Sequence, residues 1–245
     1  MSTHQSPEPL PEHVPGFIDY CEVEKGLSNN TQRNYAQYLK VFTQWLEQRG
    51  EASLLPHQLT ANHIWDYRLY LARKYKTRRG EYMSKKSQNY YLIALRGFLS
   101  FLAERDIETL PASKVKLAKQ KTEETISFLE VRDIEKMLEI PKTDTPQGLR
   151  DRAIMELFFS SGMRIAELVA LDLDQMSMLK DNATDRTYEL SIVGKGSHVR
   201  TIFISPRAAE WLRAYIKTRT DVHKSLFINY RSRTESKRLS TRSVQ

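Results

Sequence analysis

The sequence is poor in cysteine and has no long apolar run. Cys21 is the only cysteine among 245 residues, so a disulfide within the chain is impossible and a cysteine-rich metal site is excluded, which fits a reducing cytoplasm. The stretch 1–15 carries prolines and acidic residues and has no basic segment followed by an apolar one, so we expect no signal peptide. No apolar stretch approaches the roughly 20 residues of a membrane span, so we expect no membrane partner.

What the sequence does have is a globular composition with an excess of positive charge. Hydrophobic residues make up 40% of the chain and charged residues 28%, which leaves enough apolar surface for packed cores. The length of 245 residues allows two domains of ordinary size. The net charge of +8 favours an anionic partner, and nucleic acid is the first candidate.

The first half predicts a compact bundle of four helices, preceded by a flexible arm at residues 1–12. Helical periodicity or a capping residue marks where the helices begin: Val14, Ser28–Thr31, Thr60, and Ser84 or Ser87. The short connections between these segments are typical of helices that pack together. Cys21 falls on the apolar face of the first helix, so we assign it to the core.

The connection between the third and fourth predicted helices is the most basic part of the chain. Together with the polar residues that follow, it supplies the candidate DNA-binding residues: Arg73, Lys74, Lys76, Arg78, Arg79, Lys85, Lys86, Gln88, Asn89 and Arg96. Lysine and arginine neutralise phosphates, whereas glutamine, asparagine and arginine can contact base edges from a helix in the major groove. The alternative is a solvated surface without a partner.

Residues 111–125 have no apolar stripe at helical spacing and are rich in lysine, which predicts a linker. It separates a helical domain at 13–110 from a second domain at 126–245. The linker lysines could also follow a duplex backbone: Lys114, Lys116, Lys119 and Lys121.

The second domain changes from helical to alternating periodicity. Two candidate strands, Thr187–Val193 and His198–Ile204, flank a glycine-rich turn with Lys195 at its tip, which predicts a β-hairpin. Pro206 suits the first turn of a helix, and Leu226–Ile228 is a candidate short strand. The predicted fold class is therefore multi-domain and mainly α, with a four-helix bundle followed by an α+β domain that holds a small antiparallel sheet.

The stretch Ser160–Leu168 joins two helical segments of the second domain. Gly162 is predicted to end the first of them in the left-handed conformation. Arg164 then begins the next helix beside free backbone N–H groups, where a guanidinium can bind a phosphate or carboxylate. The alternative is a simple ion pair between Arg164 and Glu167, three residues on. The residue pattern alone leaves both interpretations open.

These residues, in this order, resemble the tyrosine site-specific recombinases of the phage integrase family, most closely the Xer type. Residues 161–168 are similar to the segment that carries the family's first catalytic arginine, which would be Arg164 here. Val193–Gly196 is similar to the hairpin that carries its catalytic lysine, which would be Lys195. The first half resembles the family's SAM-like core-binding domain, and the second half its catalytic domain.

The resemblance implies DNA cleavage and rejoining through a 3′-phosphotyrosyl intermediate, with no cofactor and no metal. Arg164, oriented by Glu167 and assisted by a second arginine, would stabilise charge on the pentavalent phosphorus. Lys195 would protonate the leaving 5′ oxygen. The implied partners are double-stranded DNA and further protomers that assemble as a tetramer on paired sites, without a membrane or a small-molecule substrate.

The family's later motifs have no match within these 245 residues. They are a His-x-x-Arg element, a further histidine or tryptophan, and the nucleophilic tyrosine, a role that we assign to none of Tyr188, Tyr215 and Tyr230. We therefore expect a chain truncated at its C-terminus that binds DNA without cleaving it. A non-catalytic DNA-binding regulator on the same scaffold stays open as an alternative, as does an RNA-binding or structural helical module.

Overall fold

A computed structural model describes residues 3–77, 79–119, 128–181, 183–194, 196, 198–232 and 237–244. The chain divides into two compact units, residues 1–124 and 125–245. Two of the predicted site residues, Arg78 and Lys195, lie outside the described residues. None of the helices in the described part of the chain has the length and hydropathy needed to cross a membrane.

The first unit is a helical bundle, as predicted. Its described α-helices are α1 (Val14–Val23), α2 (Asn29–Gln48), α3 (Ala61–Arg73) and α4 (Lys85–Glu104). The hydroxyl of Thr60 accepts a hydrogen bond from the backbone N–H of His63, and the hydroxyl of Ser84 accepts one from Ser87. Both caps satisfy N–H groups that the first turn of a helix leaves without a partner, which is why α3 and α4 begin where the sequence predicted.

Aromatic rings join α1 to α4 in the centre of the bundle. The ring of Phe17 packs against Phe98 and Phe101, with centroids 5.7 and 5.8 Å apart. Gly97 permits this approach, because a Cβ at that position would lie 3.3 Å from the Phe17 ring. Cys21 is buried in the same core, as predicted. Burial of each phenylalanine contributes roughly 1.5–3 kcal/mol, so these contacts stabilise the packing of α1 against α4.

The N-terminal residues differ from the predicted flexible arm at 1–12. His4 and Ile107 form a parallel backbone bridge, and the N–H of His4 donates to the carbonyl of Asp106 at 2.8 Å. Leu10 is buried, so this segment lies against the bundle. The prolines suggested a loose arm, but backbone pairing and one buried leucine fix the chain here.

Asn89 is a correction to the predicted DNA-binding surface. Its side chain is buried on α4, where its amide donates to the carbonyl of Ala118 at 3.0 Å and accepts from the N–H of Ala118 at 2.9 Å. An amide with both groups satisfied inside the protein is not available to a base edge. Asn89 instead fixes the chain segment that follows the bundle.

The first part of the predicted linker, 111–125, also packs on the bundle. Val115 is buried, and Leu117 lies against the same core. The segment contains a short 3-10 turn, Ala112–Lys114, and its lysines stay exposed: Lys114, Lys116 and Lys119. Apolar and basic residues alternate here with a period of two, which a search for helical spacing does not detect. Lys121 and the rest of the linker lie outside the described residues.

The second unit combines helices with one hairpin. Its described α-helices are α5 (Val131–Glu139), α6 (Pro146–Ser161), α7 (Ile165–Ala170), α8 (Pro206–Lys217) and α9 (Thr241–Val244). The strands β1 (Tyr188–Val193) and β2 (Val199–Ile204) pair antiparallel, with Ile192 opposite Arg200. The hairpin and the start of the helix at Pro206 therefore agree with the sequence prediction.

The segment Leu226–Ile228, predicted as a strand, is not one among the described residues. Isolated bridges join Ser225 to Asp172 and Ile228 to Arg238 at its two ends. All three of its side chains are buried, so its apolar character reflects burial in the core of the second unit.

Helix α6 connects the parts of the second unit that matter for the site. It packs against α8 and β2. The hydroxyl of Ser160 donates to the carbonyl of Phe203 at 3.0 Å and accepts from the N–H of Ser205 at 2.7 Å. Gly162 ends α6 with a φ of 58°, the left-handed conformation that the sequence predicted. The end of α6 thus places the hairpin beside the residues that follow Gly162.

Candidate active site

Arg164 lies between the end of α6 and the start of α7. Its backbone is extended, with φ −80° and ψ 151°, and its side chain is 63% exposed. The Nη1 group donates to Oε1 of Glu167 at 2.9 Å, and the backbone N–H of Arg164 donates to Oε2 of Glu167 at 2.8 Å. The ion pair that the sequence left open is therefore present.

This ion pair leaves room for an anion. Within the described residues, the hydrogen bonds of the Arg164 guanidinium involve Nη1 alone. The rest of the guanidinium faces solvent and can meet a phosphate. The backbone N–H of Arg164 already donates to Glu167, so the candidate anion donor of this residue is its side chain.

Glu167 is the acceptor shared by two arginines. Its carboxylate is buried, and Nη2 of Arg200, on β2, donates to Oε2 at 2.7 Å. Burial raises the pKa of Glu167, but hydrogen bonds from the Arg164 N–H and from the Arg200 and Arg164 guanidinium groups outweigh it and lower the pKa from 4.5 to about 2. The carboxylate is therefore ionised at neutral pH, and the three side chains together carry one positive charge.

Gly194 brings the end of the hairpin against this cluster. A Cβ at position 194 would lie 3.2 Å from Oε1 of Glu167 and 3.8 Å from Nη1 of Arg164. The N–H of Gly194 donates to the carbonyl of His198 at 2.8 Å, which closes the turn. Glycine therefore allows the backbone to approach the carboxylate closely. Lys195 follows Gly194 in the sequence and lies outside the described residues.

Arg200 is the site residue that sequence reasoning missed. Along β2, Arg200 shares one face with Ile202 and Ile204, which are both buried. A charged residue in the buried register of a strand needs a partner, and this was the signal that could have found it.

Most of the predicted DNA-binding residues of the first unit occupy the end of α3, the connection to α4 and the start of α4, and Arg96 lies in the middle of α4. The exposed ones among the described residues are Arg73, Lys74, Lys76, Arg79, Lys85, Lys86 and Arg96. Lys76 pairs with Tyr82 in an antiparallel bridge, and its ammonium lies 5.3 Å from the centre of the Tyr82 ring. Gln88 is half-buried and donates to the carbonyl of Met83 at 2.9 Å, so a local contact already uses its amide.

No metal site was found in the described part of the chain, since no group of three or more His, Cys, Asp or Glu residues there could hold an ion.

We expect Glu167→Gln to weaken the acid dependence of stability. The folded pKa of about 2 lies below 4.5, so ionised Glu167 contributes stability above pH 4.5 that is lost as the pH falls towards 2. The variant should lose about 3 kcal/mol of unfolding free energy at pH 7 and far less near pH 2.5. Urea unfolding at pH 7, 4 and 2.5 measures this.

The exposed Glu189 on β1 offers the matched control, because Glu189→Gln makes the same chemical change away from the arginines. It should unfold like the parent chain at every pH. If the free energies of unfolding of Glu167→Gln and the parent chain differed by the same amount at every pH in this range, the assigned ionisation would be contradicted.

Two family models match the sequence. The model of the phage integrase family matches residues 127–245. The model of the phage integrase N-terminal SAM-like domain matches residues 14–106. The two matches correspond to the second and first structural units.

Curated relatives align with most of the chain. Tyrosine recombinase XerC of Vibrio cholerae is 34% identical over 244 residues, which cover 98% of this chain and 71% of that protein. Tyrosine recombinase XerD of Lacticaseibacillus casei is 30% identical over 224 residues, which cover 89% of this chain and 70% of that protein.

Solved structures share the fold. The XerH site-specific recombinase bound to its difH substrate has a TM-score of 0.63 at 16% identity, and the match covers 93% of this chain and 75% of that one. The Tn1549 transposon integrase in complex with circular intermediate DNA has a TM-score of 0.61 at 15% identity, covering 91% and 72%. With both domain models matched in order and relatives at 30–34% identity, this chain belongs to the phage integrase family of tyrosine recombinases.

Proposed function

We propose that this chain acts in site-specific recombination of double-stranded DNA, in which strands are cut and rejoined through a phosphotyrosyl intermediate. One observation carries the proposal: the exposed guanidinium of Arg164 is held by buried Glu167 beside Gly194, within a chain of the tyrosine recombinase family. The relatives named above are recombinases, and two structural neighbours were solved with DNA.

Arg164 is the proposed phosphate-binding residue. Attack on a phosphodiester builds negative charge on the oxygens around phosphorus, and a guanidinium held in place lowers that barrier without reorganisation. Glu167 holds one side of Arg164, and the exposed side is the one that we propose binds the phosphate. A second arginine is needed to stabilise the developing negative charge. We do not assign this role to Arg200, which is bound to Glu167 and is less exposed than Arg164, at 39% against 63%.

Lys195 is the proposed general acid. The oxygen that leaves a phosphodiester needs a proton, and a positioned lysine ammonium can deliver it with a gain of roughly 10²–10⁴ in rate. The preceding residue, Gly194, lies against Glu167 and close to Arg164. This placement of the neighbouring residue supports the role.

The first unit is proposed to bind the duplex through its basic connection. Six exposed lysines and arginines lie in or next to the connection from α3 to α4, Arg96 lies farther along α4, and the chain as a whole carries +8. Such a surface attracts the phosphate backbone whatever the base sequence. We propose that protomers bound in this way assemble as a tetramer on paired sites.

The tyrosines of the second unit do not serve as the nucleophile in this proposal. The hydroxyl of Tyr188 contacts Asp181 and Arg213. Tyr215 is buried, and its hydroxyl accepts the N–H of Ile228 at 3.4 Å. Tyr230 has a buried hydroxyl with no hydrogen-bond partner among the described residues, and its ring packs beneath the guanidinium of Arg150. We therefore propose that these 245 residues alone bind DNA without cleaving it.

We expect the triple variant Arg73→Gln, Lys74→Gln and Arg79→Gln to bind duplex DNA more weakly and with less salt dependence. If each cation neutralises one phosphate, the slope of log K against log salt falls by about 0.9 per residue removed. Fluorescence anisotropy with a labelled duplex over a NaCl series measures both quantities.

The control for this triple variant removes the same charge from exposed lysines of the second unit: Lys136→Gln, Lys142→Gln and Lys217→Gln. If both variants show the same slope of log K against log salt as the parent chain, the basic connection does not bind the DNA backbone.

We expect the 245-residue chain to form no covalent adduct with a nicked duplex that traps phosphotyrosyl intermediates. The duplex should be retarded in a native gel, and the complex should dissociate completely in SDS. A protein–DNA band that survives SDS would show that the chain contains a nucleophile. Absence of retardation in the native gel would contradict DNA binding itself.

A further inference from the structure

Among the described residues of the hairpin, Arg200 is the cation that binds Glu167 in the candidate active site. It lies on β2 opposite Ile192, two residues before Ile202, the first buried residue of that strand. Its Nη2 donates to Oε2 of Glu167 at 2.7 Å, and its side chain is 39% exposed. The Nε atom of Arg200 is buried and makes no hydrogen bond in the described part of the chain.

The two ends of the hairpin are held very differently. At the base, Tyr188 lies opposite Ile204, and both are buried. At the turn end, Val193 lies opposite Val199, and these side chains are 65% and 69% exposed. Apolar burial therefore does not hold the turn end, and a two-stranded hairpin alone is marginally stable in water.

Glu167 lies beside β2 and beside Gly194, the residue that follows β1, at this weakly held end. It accepts from Arg200 on β2, and its Oε1 lies close to Gly194 at the end of β1. The same carboxylate binds Arg164 through two hydrogen bonds. Glu167 thus links α7 to the hairpin, and the hairpin's part of this link is the charged hydrogen bond that Arg200 donates.

We propose that Arg200 is a positioning residue that holds the Gly194 end of the hairpin against Arg164 through Glu167. The proposal rests on the proposed function, because the residue next to Gly194 is Lys195, the proposed general acid. Arg200 itself does not contact the reacting phosphate. A charge-assisted hydrogen bond to a buried carboxylate is among the stronger polar contacts in a protein, so its loss should free the turn end while the buried base stays paired.

Hydrogen exchange of the Gly194 and Gly196 amides tests the proposal in the absence of DNA. Arg200→Gln should raise the exchange rate at Gly194 roughly tenfold, with little change at the buried end near Leu190. Arg200→Lys should restore most of the protection, because lysine can still donate to Glu167. The control is Arg186→Gln, which removes an exposed arginine bound to Asp181 at 3.0 Å and should leave Gly194 unchanged.

A double-mutant comparison separates positioning from general stabilisation. In a Glu167→Gln background, Arg200→Gln should raise exchange at Gly194 less than about twofold further, because the shared contact is already lost. An equal effect in both backgrounds, or unchanged exchange in Arg200→Gln, would overturn the proposal. A variant that unfolds would lose protection at Leu190 as well, and Arg200→Lys then supplies the deciding measurement.

DNA binding is measured separately on the same variants by anisotropy. Positioning predicts an almost unchanged salt slope for Arg200→Gln. A slope reduced by about 0.9, with normal exchange at Gly194, would show that Arg200 binds a phosphate directly and would overturn the proposal. Failure of the parent chain to bind DNA would refute the proposed function and leave the exchange result standing.

Discussion

The buried carboxylate of Glu167 is the interaction on which the candidate active site depends. An ionised group in the interior is costly unless donors surround it, and Glu167 receives hydrogen bonds from Arg164, just before α7, and from Arg200 on β2. Because the same carboxylate holds Arg164 and Arg200, the geometry of the site follows from satisfying one buried charge. The exposed side of Arg164 is left for an anion.

The scaffold behind this carboxylate is built on α6. Ser160 joins its end to the hairpin, and Glu156 in its middle accepts hydrogen bonds from Arg152 at 3.0 Å and from Arg207 of α8 at 2.8 Å. Glu156 is buried, so a buried carboxylate that binds an arginine joins α6 to α8, just as Glu167 joins α7 to β2. The proposed role of Arg164 requires donors that are fixed before the reaction, and these hydrogen bonds join the elements that surround Arg164.

Local signals predicted much of this architecture, because caps, a left-handed glycine and strand alternation are short-range features. Thr60 and Ser84 cap the starts of helices and Gly162 ends one, as the neighbouring sequence predicted. Long-range contacts were not predictable in this way. Asn89 was expected at the surface, but it binds the backbone of Ala118, 29 residues away. Arg200 was overlooked because Glu167, its partner, lies 33 residues away.

The most direct test of the account is a crystal structure of this chain with duplex DNA, in which the contacts of Arg164 are measured. The account predicts that Nη1 stays on Glu167 while the other side of the guanidinium lies about 2.7–2.9 Å from a phosphate oxygen. It also predicts that Arg200 keeps its bond to Glu167. A complex in which Arg164 faces solvent, with every phosphate beyond hydrogen-bond distance, would contradict the central role of this cluster.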